Sequence, residues 1–448
     1  MDIKTKKYTY KLIENLGLLV NSEIEKELNF LKPKKISSNE EKQLVSHLRR
    51  EISDEDIDGI ISNVSNLVLT LTEDCNLRCL YCAYSGIYDG ERTHSKRKMK
   101  LETAIKAIDL FYKYIGLEKR KLKINLLPIG FYGGEPLLEI ELIRNIIEYA
   151  KKRISYLKLD KTFKIYFAIT TNGTLLNEDN TDFLVKNGFH VSVSIDGPQL
   201  THDKFRVTAS KKGSWQLVID NLYRFKSRYP KFYKENVSFL CTVHPLHDGE
   251  AIDRFFLSNQ NLFNLERIRY SNLKKNSLKE TEKQRILKDG EKFTRSRLQF
   301  EKYISTSFDS DKFKINIIEP HVKLTGTCFP GSKKFFIGVD GKIHICESIS
   351  PNFPIGNVSA GINYDNIRRI IREFNEGIIE RECWKCEIWF LCNTCFTIST
   401  YGDDIRLYCP KKDIIDGLTN FLSFKEQEYE NIQKDCDFVD VSSYLDFL

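Results

Sequence analysis

The pattern of apolar and polar positions changes character near residue 66. Residues 1–64 are polar and predict helices, ending in an acidic stretch over 51–58 where Ser53 is placed to cap a short helix. Beyond that point, apolar runs of strand length alternate with segments of helical period. The predicted strands cover residues 66–72, 124–131, 164–170, 191–195, 237–243 and 267–270, and the predicted helices cover 101–115, 137–152, 177–186 and 214–227.

This alternation of strands and helices predicts an α/β fold. Six apolar strands with intervening helices favour a parallel sheet that carries its helices outside, either open or closed as a partial barrel. In such sheets ligands bind at the carboxyl ends of the strands, so the residues that follow each strand are the first candidates for a site.

The remaining chain divides into a bridge and a cysteine-rich region. Residues 276–320 are charged and predict helix. A hairpin is predicted over 334–344 with its turn at Asp340-Gly341, and a last helix over 412–433. We therefore expect four regions, namely an N-terminal helical segment (1–64), the α/β unit (65–275), a helical bridge (276–325) and a C-terminal α+β domain (326–448).

The composition excludes several classes of protein. The chain has 448 residues, 41% of them hydrophobic, with 69 Lys and Arg against 62 Asp and Glu. This is typical of a globular protein rather than a disordered one. No apolar run approaches the ~18 residues of a membrane span, and the first residues lack the features of a secretory signal. We therefore expect a cytoplasmic protein without membrane contact, whose 12 cysteines are metal ligands or reactive thiols rather than disulfides.

Three basic clusters account for the net charge of +7. They lie at residues 96–100, 119–123 and 225–234. Such clusters are more often solvated faces than nucleic-acid sites, and none adjoins a recognition motif, so a nucleic-acid partner is not expected. A negatively charged peptide segment is an equally good reason for them.

Three cysteines follow the first predicted strand within one short loop, as Cys75-x3-Cys79-x2-Cys82 with Tyr81 before the third. A structural zinc usually takes four protein ligands, whereas three thiolates can hold three irons of a 4Fe–4S cluster and leave the fourth iron open. The alternative is a set of reduced structural cysteines. The spacing resembles that of the radical S-adenosylmethionine (SAM) enzymes.

Polar motifs also follow the next three strands, as Gly133-Gly134-Glu135-Pro136, then Asn172 with Gly173, then Ser194-Ile195-Asp196. Each could be turn chemistry alone. The resemblance implies that they bind SAM. Gly133, Gly134 and Glu135 would contact its amino group, Ser194 and Asp196 its ribose, and Asn172 would lie beside them. Arg206 could pair with the SAM carboxylate, although a surface arginine is an equal alternative.

The C-terminal cysteines form a second set, with Cys328, Cys346, Cys383-x2-Cys386, Cys392-x2-Cys395 and Cys409. Paired CxxC units alone indicate zinc, which is the serious alternative. The whole pattern resembles the SPASM extension of radical SAM enzymes, which carries two auxiliary 4Fe–4S clusters. That resemblance implies one cluster on Cys383, Cys386, Cys392 and Cys409, and a nearer one on Cys328, Cys346 and Cys395. The nearer cluster lacks an obvious fourth cysteine, so either Cys241 or Cys436 completes it, or an open iron binds a substrate thiolate.

The resemblance implies a reaction and several partners. Three 4Fe–4S clusters and SAM would give a 5′-deoxyadenosyl radical that abstracts hydrogen from a peptide, after reduction by a flavodoxin- or ferredoxin-like protein. We expect a ribosomally made precursor peptide as substrate, with thioether formation at cysteine, and with residues 1–64 either docking its leader or capping the barrel.

Several alternatives stay open. An anaerobic sulfatase-maturing enzyme would form formylglycine with a catalytic base after the cysteine of its GxxxxC motif, where this chain has Glu347 in place of the usual Asp. Carbon–carbon crosslinking and epimerisation of peptides are further possibilities. Outside this class, the chain could be a non-catalytic zinc or iron–sulfur scaffold.

Overall fold

The structure is a computed structural model of the whole chain. It describes residues 38–416 apart from 89–91, 117–125, 274–277, 291–295, 297, 300–316, 319–320, 323–327, 387–391 and 393. It also describes the backbone of three short strands before residue 38, and helical residues 419 and 423.

The chain forms one large sheet with helices on its outer face. In order, its elements begin with β1 (Asp2–Lys4), β2 (Thr9–Ile13), β3 (Leu18–Asn21), α1 (Ser38–Arg49), α2 (Asp54–Ile61), β4 (Asn66–Thr72), α3 (Leu101–Gly116), β5 (Leu126–Gly133), α4 (Ile140–Tyr156), β6 (Lys164–Thr171), α5 (Glu178–Lys186), β7 (His190–Ser194), α6 (Gln199–Phe205), α7 (Trp215–Arg228), α8 (Pro230–Asn236), β8 (Val237–Val243), α9 (Gly249–Ser258), β9 (Ile268–Asn272) and α10 (Glu280–Asp289). They continue with β10 (Ile317–Ile318), β11 (His321–Val322), β12 (Lys334–Ile337), β13 (Lys342–His344), β14 (Gly356–Asn357), β15 (Gly361–Ile362), α11 (Tyr364–Glu380), α12 (Phe396–Ser399), β16 (Thr400–Tyr401) and β17 (Asp404–Ile405).

Six strands, β4 to β9, lie side by side in chain order and are all parallel. This confirms the predicted α/β fold. Alternate residues of each strand are buried against the helices, for example Leu67, Leu69 and Leu71 on β4. The opposite face carries a polar row in register across five strands, formed by Thr70, Tyr132, Thr170, Ser192 and Ser238.

The predicted hairpin at 334–344 is confirmed, and it extends the same sheet. Strand β12 pairs in parallel with β4, while β13, β14 and β15 follow it in antiparallel order, so the sheet has ten strands. Gly341 supplies the positive φ of +78° that the turn requires. Through this pairing the C-terminal region joins the edge of the parallel sheet at β4. Cys346 and Glu347 follow β13, and the Glu347 carboxylate pairs with Lys334 of β12.

The N-terminal segment differs from the prediction of helices. Strands β1, β2 and β3 form a three-stranded antiparallel sheet, and α1 and α2 are the helices among the described residues of this segment. The sequences of β2 and β3, TYKLI and LLVN, are rich in β-branched, aromatic and aliphatic residues, and this local preference prevails over the polar composition of the segment. The helix predicted from Ser53 is confirmed, since its hydroxyl accepts from Asp56 N in a full capping box.

The two N-terminal helices pack against α11 rather than capping the barrel. Arg49 pairs with Glu376 at 3.3 Å, and the Asn375 side chain donates to Leu48 O at 2.9 Å. Arg368 Nε donates to Ile52 O at 2.8 Å.

The predicted helical bridge at 276–325 contains α10 but also the hairpin β10–β11, and most of its other residues lie outside the described ones. The final predicted helix begins at residue 411, and most of it also lies outside the described residues. Every helix in the described ranges is too short or too polar to cross a bilayer.

Candidate functional site

The first three cysteines lie in a structured loop at the carboxyl end of β4. Thr72 Oγ1 accepts from Asp74 N at 3.1 Å, and Asp74 Oδ1 accepts from Cys75 N at 2.9 Å. Cys82 N donates to Cys79 O at 3.1 Å, which closes the turn between the second and third cysteines. These bonds hold all three side chains at the end of the strand where a ligand is expected.

The three sulfur atoms lie close to one another in a buried environment with N–H donors. Leu77 N donates to Cys75 Sγ and Tyr84 N donates to Cys82 Sγ, each at 3.4 Å. Burial raises the pKa of the Cys75 thiol to about 12, and the neighbouring charges of Cys79 and Cys82 raise it further. Burial likewise raises the pKa of Cys82 to about 11. A metal would therefore displace protons on binding, because cysteine ligates as the thiolate.

This donor set fits an iron–sulfur cluster better than a single ion. Within the described ranges, no three His, Cys, Asp or Glu side chains converge closely enough to hold one metal ion. A cluster does not need such convergence, because each thiolate binds a different iron. The N–H groups aimed at sulfur are the hydrogen bonds that stabilise cluster thiolates.

Gly133 and Gly134 let the end of β5 pass directly against the cysteine loop. Gly134 N donates to Thr72 O at 2.8 Å, and Glu135 N donates to Asp74 O at 2.9 Å. A Cβ atom on either glycine would come within 3.0 Å of a backbone oxygen of that loop, a distance real Cβ atoms essentially never show. Both positions therefore need glycine because the backbone of β5 passes so close to the backbone of the cysteine loop, whether or not they also form a turn.

Glu135 is fully buried and joins the ends of β5 and β6. Its Oε1 accepts from Leu137 N at 3.0 Å and from the Thr171 hydroxyl at 2.9 Å, while Oε2 accepts from Asn172 N at 2.8 Å. Burial raises the pKa of this carboxyl to about 7, against the lowering effect of these bonds. A carboxylate has about four acceptor positions, so one is left for a cationic ligand group.

Asn172 lies beside the cysteine loop, as expected. Its Nδ2 donates to Asn76 Oδ1 at 2.8 Å and approaches Cys75 Sγ at 3.6 Å. Its Oδ1 accepts from Thr174 N at 2.9 Å, which fixes the side-chain orientation.

Asp196 and Arg206 belong to one buried network with Tyr81. The Tyr81 hydroxyl donates to Asp196 Oδ2 and accepts from Arg206 Nη1, the latter at 2.8 Å. Asp196 Oδ1 accepts from Thr242 N at 2.9 Å, at the end of β8. Arg206 is 7% exposed, so the alternative of a surface arginine is wrong. Its Nε is buried and has no hydrogen-bond partner among the described residues.

Ser194 is the last residue of β7 and is half-buried. It lies on the same face of the strand as Ser192, which is hydrogen-bonded to Ser238 at 3.0 Å. That face carries the polar row, so Ser194 lies on the face of the sheet that is not covered by the helices.

Glu347 lies near the cysteine loop although it is far away in sequence. Its carboxylate pairs with Lys334 Nζ at 2.7 Å, and Arg92 Nη1 donates to its backbone oxygen at 2.8 Å. Burial raises the pKa of Tyr132, and the charges of Glu347, Tyr84 and Cys82 also raise it, so this tyrosine is close enough to feel both the carboxylate and the loop.

The sequence analysis did not name two tyrosines that lie near the site. Tyr132 precedes the glycine pair and lies near Tyr84, which follows Cys82 by two residues. Their spacing to the motifs was visible in the sequence, but tyrosine at such positions is ordinary core material. The pair of buried histidines after β8, His244 and His247, was also unremarked.

Several C-terminal cysteines lie close enough to affect one another's pKa. Burial raises the pKa of Cys383 to about 11, and the next contributions are the charges of Cys392, Cys409 and Cys386, so these four are neighbours. Burial raises the pKa of Cys346 to about 12, and the charge of Cys395 is one of the smaller contributions. The charge of Cys395 also contributes to the raised pKa of Cys392, so Cys395 lies near both sets. Cys328 is half-buried, and the ligand sets that the resemblance implies stay a prediction.

Two cysteines, Cys241 and Cys436, were considered as a fourth ligand of the nearer auxiliary cluster. Cys241 is fully buried in β8 within the hydrophobic core. Its charged neighbours are Asp196, Asp253 and Arg206, so the hypothesis that it completes an auxiliary cluster is not supported. Cys436 lies outside the described residues.

Comparisons with known proteins identify the α/β unit. Residues 69–256 match the model of the radical SAM superfamily. A cysteine-type anaerobic sulfatase-maturating enzyme of Clostridium novyi (strain NT) is 34% identical over 197 residues, which is 44% of this chain and 48% of that protein. A serine-type enzyme of the same name from Bacteroides thetaiotaomicron is 26% identical over 360 residues, covering 71% of this chain and 79% of the relative.

The fold agrees with these relatives. A solved structure of native anSMEcpe with bound AdoMet superposes with a TM-score of 0.55 at 20% identity, covering 83% of this chain and all of the other. The chain spans about half the length of the first of the curated relatives it matches. The three-cysteine loop, the strand-end motifs, the parallel sheet and the match over 69–256 agree, and this chain therefore contains a domain of the radical SAM superfamily.

Proposed function

We propose that this protein is a radical SAM maturase that acts on a cysteine of a ribosomally made peptide and joins its sulfur to a carbon as a thioether. The observation that carries the proposal is the meeting of three buried or half-buried cysteines with Glu135, Asn172 and Asp196 at the ends of neighbouring parallel strands. The enzyme would work in the cytoplasm and receive electrons from a flavodoxin- or ferredoxin-like carrier.

Each residue of the site has a task in this reaction. Cys75, Cys79 and Cys82 would hold a 4Fe–4S cluster, which together with SAM supplies a carbon radical able to take hydrogen from an unreactive carbon. Glu135 offers its remaining acceptor position to the SAM ammonium group. Arg206 offers the unpartnered Nε to an anionic group such as the SAM carboxylate.

Asp196 and Ser194 face the ribose region in this proposal. Asp196 is held by Tyr81 and Thr242, so its orientation is fixed before any ligand arrives. Burial of this network excludes water from the reacting groups.

The auxiliary cysteines support a substrate thiol. In our proposal Cys383, Cys386, Cys392 and Cys409 hold one auxiliary 4Fe–4S cluster, and Cys346, Cys395 and Cys328 hold another. With three cysteines, the second cluster keeps an iron open to a substrate thiolate. Cys346 adjoins Glu347, which would take up the thiol proton once Lys334 releases the carboxylate.

A second candidate function is formylglycine formation on a sulfatase. It is favoured because two similar proteins are named anaerobic sulfatase-maturating enzymes, and their matches cover 44% and 71% of this chain. Both reactions start from a peptidyl cysteine when the sulfatase is of the cysteine type. This chain has Glu347, paired with Lys334 at 2.7 Å, where the sulfatase-maturing enzymes would have Asp, and that departure favours a different substrate.

Mass spectrometry of a co-expressed cysteine-containing precursor peptide separates the candidates. Thioether formation removes two hydrogens per site and makes the affected thiol resistant to alkylation. Loss of two hydrogens with every thiol still alkylatable would contradict the thioether and indicate a carbon–carbon crosslink. An unchanged precursor, together with an aldehyde on a sulfatase peptide, would establish the formylglycine reaction instead.

Residues 1–64 are proposed to dock the leader of this peptide. In the three-stranded sheet, β2 is central, and β1 and β3 each have only one partner strand among the described residues. An extended leader could add to such an edge through main-chain hydrogen bonds. The helices that follow are anchored on α11, which would fix the docked leader relative to the barrel.

A further inference from the structure

The cysteine loop reaches the surface of the molecule at Leu80. This side chain is 46% exposed, although its neighbours Cys79 and Tyr81 are both buried. A large apolar side chain held at the surface between buried cysteines has no role in the hydrogen bonds of the loop. Any molecule that covers Leu80 comes within two residues of two of the three thiols.

Basic segments pair with the cysteine loop on both sides. Leu80 N donates to Phe205 O at 2.9 Å and Arg78 N donates to Val207 O at 2.6 Å, which attaches the turn carrying exposed Lys211 and Lys212. On the other side, Glu73 N donates to Arg97 O at 3.0 Å, which attaches the first basic cluster with exposed Lys96.

The two described acidic side chains that directly precede the first cysteine are already neutralised. Glu73 pairs with Arg97 at 2.6 Å, and Asp74 pairs with Arg78 at 3.5 Å. No acidic side chain of the described residues pairs with Lys96, Lys211 or Lys212. Within the part of the chain that the structure describes, these three lysines are therefore unneutralised positive charges in the segments that pair with the loop.

We propose that Leu80 with Lys96, Lys211 and Lys212 forms the docking surface for an acidic one-electron carrier protein that reduces the cluster of the cysteine loop. This rests on the proposed function. The lysines attract the carrier, and Leu80 makes the apolar contact that brings the carrier's redox group beside the loop. One electron passes from the reduced carrier to the cluster, so the carrier is oxidised by one electron and no bond or proton moves. An acidic peptide segment is the competing occupant, but a substrate must reach the interior of the barrel rather than the outside of this loop.

The test measures the rate of cluster reduction in the reconstituted holoenzyme. A chemically reduced flavodoxin is mixed with the enzyme without oxygen, and the loss of cluster absorbance in the visible range is followed by stopped flow. The variant is Lys211→Asp/Lys212→Glu, with Asp at 211 because that residue has a φ of +59°, which Asp tolerates. The control is Lys231→Glu/Lys234→Glu, an equal charge change on exposed residues of α8. This helix leads into the amino end of β8, whereas the cysteine loop lies at the carboxyl ends of the strands.

We expect the variant to lower the second-order rate constant with flavodoxin about tenfold at low salt, and less at high salt because ions screen the attraction. Leu80→Gln should lower it at both salt concentrations. Dithionite is small and needs no docking surface, so it should reduce all these proteins at the wild-type rate, and the control should behave as wild type with both reductants.

Two outcomes would overturn the proposal. An unchanged flavodoxin rate in the variant would show that the carrier docks elsewhere, and a weakened affinity for a labelled precursor peptide in the same variant would identify the peptide as the occupant. Equal slowing with dithionite would show damage to the cluster site. The proposed function fails separately, if the dithionite-reduced wild-type enzyme does not cleave SAM.

Discussion

At the scale of single residues, the site depends on close contacts that admit little substitution. Gly133 and Gly134 bring the backbone of β5 against Thr72 and Asp74. The carboxylate that follows them is held by Leu137 N and by two donors from the end of β6. Because the cysteine loop makes these same backbone contacts, its shape and the position of Glu135 are set together.

Replacement of Gly134 tests this coupling. In Gly134→Ala the new methyl group would collide with Asp74 O, so we expect a loss of about 1–3 kcal/mol in the free energy of unfolding, as for overpacking in a core. Gly59→Ala is the matched control, since Gly59 lies in α2 with nothing within 4 Å of the new Cβ, and Ala should stabilise that helix by about 1 kcal/mol. Urea unfolding of the apoprotein gives both values. Equal stabilities for the two variants would contradict the close approach.

The Tyr81 hydroxyl is a second sensitive point, because two buried charged groups depend on it. Tyr81→Phe removes the donor to Asp196 and the acceptor for Arg206, and leaving such groups unsatisfied costs about 1–3 kcal/mol. Tyr223→Phe, at a tyrosine 46% exposed on α7, should stay within about 0.5 kcal/mol of wild type. Chemical unfolding of the apoproteins measures both. A Tyr81→Phe protein as stable as wild type would mean that the network does not support the fold.

At the scale of elements, the sequence predicted most of the barrel because apolar runs and turn residues determine strands locally. Strands 66–72 and 237–243 have the bounds that were predicted, and helix 178–186 is within one residue. The short helices α6, α8 and α9 were missed, since seven to ten residues rarely show a clear helical period.

Strand pairing between distant segments could not be predicted. The contact of β12 with β4 joins residues more than 260 positions apart, and neither strand's own pattern names its partner. The N-terminal strands were mistaken for helix for a different reason, since Lys and Glu around them gave the segment a helical composition.

The turn after β8 is held by hydrogen bonds to two histidines that can titrate. His244 Nδ1 accepts from Leu246 N at 3.0 Å, and His247 Nδ1 accepts from His244 N at 3.2 Å, so both rings must be neutral there. Burial lowers the pKa of each histidine to about 3, with nearby Lys204 adding to it, while Glu282 lies 3.6 Å from His244 Nε2.

These two histidines predict that the stability of the fold falls at acid pH. In the unfolded chain these histidines have a pKa near 6.5, so between pH 6.5 and about 3 the unfolded state binds protons that the folded state does not. The two histidines therefore contribute their full stability above pH 6.5, and the contribution falls as the pH drops below that value.

In His244→Asn/His247→Asn the amide oxygens can accept the same backbone bonds without titrating. We expect the urea midpoint of this variant to fall less steeply than that of wild type between pH 7 and pH 5. Parallel pH profiles for the two proteins would contradict the assignment.

At the scale of the whole molecule, three parts of the chain share one hydrophobic core. Leu48 and Ile57 from the N-terminal helices, Leu69 from the barrel, and Ile343 and Ile367 from the C-terminal region all belong to it. The site could be predicted as far as it follows from strand ends, because the ends of parallel strands meet. Glu347 was named from its motif, but its pairing with Lys334 and its approach to Tyr132 depend on how the C-terminal hairpin packs on β4.

The separation of the cysteine groups gives a prediction about the metal content of the whole protein. Cys75→Ser/Cys79→Ser/Cys82→Ser should lose about four irons together with SAM cleavage. Cys383→Ser/Cys386→Ser should also lose about four irons but still cleave SAM with dithionite, because these cysteines group with Cys392 and Cys409 rather than with the first loop. Cys241→Ala is the control, and it should keep the iron content of wild type because its thiol lies in the core.

Iron and zinc analysis of anaerobically reconstituted protein, with SAM cleavage followed by chromatography, checks all three variants. Zinc in place of iron, lost with Cys383 and Cys386, would make the C-terminal region a zinc site and remove the auxiliary cluster from the proposed reaction. Loss of iron in Cys241→Ala would return Cys241 to the ligand set. Loss of about four irons in each of the other two variants, with iron still present in both, requires separate clusters, because removal of one shared cluster would leave neither variant with iron.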